Sequence, residues 1–179
     1  MSRMKKLIAL ICILSFVLSS FTIGDEGDRN CIRWSAERKL RISDFTIVEY
    51  PLPDNASAQA FTGIIMEYYA NSPSKYKAYA IFDTVKSVWN VNAVINKHKV
   101  LMHEQTHFDI AQYMTDQLNI ELFKSETTPR LASRIYMDFQ FKLDSMQMLY
   151  DREILNYADS TAQERWSKKV WNLIMETPH

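Results

Sequence analysis

The hydrophobic pattern changes its period along the chain. Residues 7–18 form an apolar run, interrupted only by Ser15, behind Arg3, Lys5 and Lys6. From about residue 33 to residue 88, β-branched and aromatic residues recur between turn formers, which is the signature of short strands. Residues 40–50 predict one strand or a pair of short ones, and Pro51-Leu-Pro-Asp-Asn55 predicts a turn. Residues 58–69 and 75–88 predict two more strands, joined by a hairpin loop at Asn71-Ser-Pro-Ser74. From about residue 92 the spacing becomes helical. A first helix is predicted over residues 93–123. Thr128-Pro129 offers an N-cap followed by proline at the first helical position, and that helix is predicted to reach Tyr157. Ser160-Thr-Ala-Gln163 has the form of a capping box and opens a third helix to about Met175, with Trp166 and Trp171 packing it onto the body. The class is therefore α+β: a small, mostly antiparallel sheet followed by about three helices.

The N-terminal run has a separate meaning. A short basic stretch, about a dozen apolar residues and then Ser19-Ser20 make a secretory signal peptide over residues 1–20. The run is short for a transmembrane helix, which needs about 20 apolar residues, so no stable membrane span is expected after cleavage. Residues 21–179 then form a single domain, exported to a periplasm or to the medium. The whole chain balances 21 basic against 21 acidic residues, and it contains no basic block that would suit nucleic acid. Cleavage would also remove Cys12 and leave Cys31 as the sole cysteine, so no intrachain disulfide can support an exported fold.

Leu101-Met-His103-Glu104-Gln-Thr-His107-Phe108 contains H-E-x-x-H inside the first predicted helix. At about 100° per residue, His103 and His107 stand about 40° apart, so their imidazoles can meet one ion. Glu104 sits one residue along, placed to act on a metal-bound water as general base. Bound Zn²⁺ would bring the pKa of such a water towards about 7. Ile110, Met114 and Leu118 continue the histidine face, which points it inward; His98 falls off it and reads as a surface residue, and Asp109 reads as a cap or surface group. Zinc needs at least one further protein ligand with a position left open. The longer metzincin pattern would require Gly at 110 and His at 113, where this chain has Ile110 and Tyr113. A carboxylate of the second helix is the natural alternative, with Asp151 and Glu153 as candidates.

With these residues in place the chain resembles a bacterial family of predicted secreted zinc-dependent proteases, domain of unknown function 922, which is zincin-like. The resemblance spans about Trp34 to Trp171. It is carried by His103-Glu-Gln-Thr-His-Phe-Asp-Ile-Ala111, and by Tyr150-Asp-Arg-Glu153 followed by Gln163 and Trp166. Ser43-Asp44-Phe45 and Ala60-Phe-Thr-Gly63-Ile64 match more weakly. The family has Gly where Thr106 stands. It also has Thr-x-His after the Glu of its second block, where this chain has Ile154-Leu155-Asn156. If position 156 faces the site, Glu153 lies about 60° from it and Asp151 about 140°, so Glu153 is the expected third ligand. Tyr150 and Tyr157 flank that face, as packing or as phenol donors.

The expectation is an exported zinc-dependent hydrolase, most simply a metallopeptidase acting on a peptide or protein substrate. Such a substrate would be held on the sheet's edge strand by strand addition. The alternatives are a non-catalytic exported protein that keeps the zincin scaffold, with Asn156 replacing the family His, and a hydrolase of a non-peptide amide or ester.

Overall fold

The computed structural model describes residues 30–53, 56–72, 74–93, 96–124, 127–154 and 160–178. The N-terminal apolar run, Asn55, Asn156 and Tyr157 lie outside the described residues. In chain order the elements are β1 (Cys31–Arg33), a single 3-10 turn (Ile42–Asp44), β2 (Thr46–Val48), β3 (Ala58–Gln59), β4 (Thr62–Tyr68), β5 (Tyr76–Asp83) and β6 (Val88–Asn90). The helices α1 (Lys97–Lys124), α2 (Pro129–Ile154) and α3 (Ser160–Glu176) follow. The α+β class is as expected, but the strands form two small sheets rather than one. One is antiparallel with order β1-β5-β4; the other has order β2-β6-β3, with β2 parallel and β3 antiparallel to β6.

Local hydrogen bonding explains why the expected strands are cut. The run 58–69 breaks at Ala60 because the Ala60 N–H donates to the Glu104 carboxylate and the Phe61 N–H donates to Ser87 Oγ, so neither joins a ladder. The run 75–88 breaks after Asp83, whose Oδ1 accepts from the N–H groups of Val85 and Lys86 and so makes a turn. Within 40–50, the Asp44 side chain accepts from the Arg41 N–H and folds the 3-10 turn, leaving Thr46–Val48 as the strand. The short β1 had no signal strong enough to be expected.

The helix starts follow side-chain capping. Asn96 Oδ1 accepts from the Lys99 N–H at the start of α1, and Thr128 Oγ1 accepts from the Leu131 N–H at the start of α2. At α3 the expected capping box does not close: Gln163 is fully buried and donates to the Lys99 carbonyl of α1 instead. It ties the two helices together.

α1 is the centre of the molecule, packed against β4 and β5 on one side and α2 and α3 on the other. The alternate residues Tyr76, Ala78, Ala80 and Phe82 of β5 are buried, and Phe82 meets Phe108 of α1 at 6.0 Å between ring centroids. Leu118 and Leu122 of α1, Leu143 and Ile154 of α2, and Val170 and Ile174 of α3 complete the core. Each such side chain contributes about 1.5–3 kcal/mol by leaving water. Trp166 and Trp171 do pack α3, on Tyr150 and Trp34 respectively. No helix among the described residues is long and apolar enough to cross a membrane.

Candidate metal centre

Because α1 is surrounded, its polar side chains must be satisfied inside the protein. Gln105 accepts from the Leu40 N–H and donates to Asp109, and Asp109 also accepts from the Trp34 indole N–H at 2.7 Å. Lys39 stands 3.9 Å from Asp109. Asp109 is thus a buried tie between α1 and the chain after β1, not the cap or surface group that its helical angle suggested. Thr106 Oγ donates to the Met102 carbonyl and meets Ser167 Oγ of α3. His98 is exposed, as expected.

On the adjoining face His103 and His107 are both buried, and their Nε2 atoms stand 3.1 Å apart. Asp151 of α2 reaches the same point: its Oδ1 is 3.5 Å from His103 Nε2 and 3.0 Å from His107 Nε2. These three residues form a group able to hold a metal ion, with ligand atoms all within 4.8 Å of one another. The donor set and its spacing fit zinc. Bonds of about 2.0–2.1 Å in tetrahedral geometry would set ligand atoms about 3.3 Å apart, close to all three observed separations. Asp151 is half exposed while the histidines are buried, so the group opens to solvent on the side of α2.

The electrostatics match a site that wants a cation. Burial, then the neighbouring His107, push the pKa of His103 down to about 3, against a smaller opposing pull from Asp151. Burial also disfavours a charged His107, but the hydrogen bond and charge of Asp151, with Glu104, outweigh it and raise its pKa. Partial burial would raise Asp151, yet its hydrogen bond to His107 and the charges of both histidines hold it below the ordinary carboxylate value. Glu104 is 2% exposed, and burial lifts its pKa to about 7, against the charge of His107 and the Ala60 N–H bonded to Oε2 at 2.7 Å.

Glu153, the expected third ligand, is elsewhere. Its Oε2 accepts from the Trp166 indole N–H at 2.8 Å, and Asp151 takes the place beside the histidines. Helix geometry gives the reason. Tyr150 is fully buried on the core stripe of α2, and Asp151 and Glu153 flank it about 160° apart, so only one of them can face α1. The expectation for Glu153 assumed that position 156 faces the site. Tyr150 is itself part of the centre, stacked on His103 and edge-on to His107.

The outer edge of β4 is covered by α2. The Ile64 carbonyl accepts from Tyr136 Oη at 2.7 Å and Gln140 Nε2 at 3.0 Å, and Gln147 Nε2 donates to Thr62 Oγ1. α2 therefore lies along this edge of the β1-β5-β4 sheet.

The chain matches no protein-family model, no curated protein and no solved structure.

Proposed function

We propose that the chain is an exported zinc-dependent hydrolase, most simply a metallopeptidase, with His103, His107 and Asp151 as metal ligands and Glu104 as general base. The observation that carries this reading is the convergence of the H-E-x-x-H histidines with a carboxylate from a second helix. Support comes also from the resemblance to the predicted secreted proteases, on which the export, zincin-like and peptidase parts rest together with the basic-then-apolar N-terminus. When bound, the ion would supply Lewis acidity and bring the pKa of a water towards about 7. Glu104 would take the proton of the attacking water and hand it to the leaving amine, a task suited by a carboxylate whose pKa is already near neutrality. The half-exposed side of Asp151 is the route by which substrate and water reach the centre. Two imidazoles and one carboxylate also suit iron(II), but a base on the next helical residue is what hydrolysis asks for.

The test is direct. Purified protein should contain about one zinc per chain, by the stoichiometry of a single three-residue site. Glu104→Gln should keep the metal and lose cleavage of a broad peptide library, and unchanged cleavage would reject the base assignment. One observation favours a non-catalytic zinc-binding scaffold as the second reading: Glu104 is buried and already bonded to the Ala60 N–H. Metal-dependent melting without cleavage of any amide or ester would select it.

A further inference from the structure

The metal reading leaves unexplained how two histidine side chains on one helix are kept with their Nε2 atoms facing. Each ring has two torsions, and an ion alone would have to freeze both. The structure supplies a wall instead. The Tyr150 ring lies nearly parallel to His103, 5.1 Å between centroids with 24° between planes, and stands edge-on to His107 at 5.0 Å and 77°. Tyr150 is 0% exposed, so it cannot swing away without opening the core. Behind it the Trp166 indole packs at 5.5 Å and 59°. The indole is in turn held by its N–H donating to Glu153 Oε2. The stack runs from α1 through α2 to α3, and Asp151 is the residue next to Tyr150. One buried ring therefore bears on both imidazoles and on the backbone that carries the carboxylate.

We propose that Tyr150 is the positioning residue of the metal centre, and that Glu153 acts on the centre through Trp166 and Tyr150 rather than by touching the ion. This rests on the metal reading above. The ring, not the hydroxyl, carries the role, because the contacts to His103, His107 and Trp166 are all made by its faces and edge. Outer side chains that orient ligands by hydrogen bonds change metal affinity by about 10–100-fold when lost, and the same order is expected of a buried ring that fixes both imidazoles.

The experiment is titration of the chelator-stripped full chain with Zn²⁺ and Co²⁺, with the visible spectrum of the cobalt form as the readout of ligand geometry. Tyr150→Phe should bind like the wild type with an unchanged cobalt spectrum. Tyr150→Leu should lose about 10–100-fold in affinity and shift that spectrum. Glu153→Leu, which leaves the core ring in place, should weaken binding by less and shift the bands in the same direction. Glu153→Gln should restore wild-type behaviour, because an amide oxygen still accepts from the indole. Circular dichroism of the metal-free variants reports whether they fold, and Glu153→Leu carries the test should Tyr150→Leu not fold. A folded Glu153→Leu, or a folded Tyr150→Leu, with wild-type affinity and spectrum overturns the proposal and leaves the metal reading standing. A wild-type chain that takes up neither ion overturns both.

Discussion

Glu104 stores a penalty in the metal-free fold that a single substitution can release. Its carboxyl is 2% exposed and its pKa is raised by burial from 4.5 to about 7. A raised acid pKa means that the folded chain binds more protons than the unfolded chain between those two values. Folding stability attributable to this group is therefore intact below about pH 4.5 and is lost as pH rises through about 7. At about 1.4 kcal/mol per pKa unit, the displacement corresponds to about 3 kcal/mol once the group is ionised in both states. Glu104→Gln removes the charge, and its amide oxygen can still accept from the Ala60 N–H. In chelator, urea unfolding of the variant should show about 3 kcal/mol of added stability at about pH 8, and almost none at about pH 4.5, where Glu104 is neutral too. With saturating zinc the gain should shrink, because the ion's charge favours the carboxylate. A stability difference that stays flat across this pH range would refute the electrostatic account of Glu104.

The two acidic candidates of α2 separate cleanly. Asp151→Asn should weaken zinc binding by more than the about 10–100-fold typical of an outer partner, whereas Glu153→Gln should leave it unchanged; calorimetric titration of both decides the ligand. Chelator should lower the melting temperature of the wild type but not of Asp151→Asn, since an ion at about 1,000 times its Kd adds about 4 kcal/mol to a chain that binds it. Asp109→Ala should destabilise the fold by about 1–3 kcal/mol for each buried donor it strands, here the Trp34 indole and the Gln105 amide, as read by urea unfolding; a change under about 0.5 kcal/mol would show that the tie is not needed.

What could be read from the sequence was what neighbouring residues encode. The facing of His103 and His107, the position of Glu104 between them and the starts of α2 and α3 all depend on spacings of four residues or fewer. The long helices therefore emerged nearly whole. The carboxylate beside the histidines did not, because it depends on which flank of α2 turns towards α1. That rotation is set by the burial of Tyr150, Leu143 and Ile154 as a group, not by any one of them. The division of the strands into two small sheets has a related cause. Their boundaries are drawn by side chains far along the chain, as when Glu104 takes the Ala60 N–H and ends what looked like one continuous strand. The buried role of Asp109 lies beyond helical angle alone, because it depends on Trp34 lying across that face.

α2 joins two of these features. The helix gives Asp151 to the metal centre, and Gln147, Gln140 and Tyr136, earlier on the same helix, hold Thr62 and Ile64 along the edge of β4. From Gln140 to Asp151 the helix runs about 16 Å without a break, at 1.5 Å per residue. A peptide added to β4 past Thr62 would have to displace the donors on the Ile64 carbonyl. A movement of α2 large enough to do that would carry Asp151 away from the histidines. Strand addition along β4 would therefore compete with the side-chain contacts by which α2, the helix that carries Asp151, is seated on that edge.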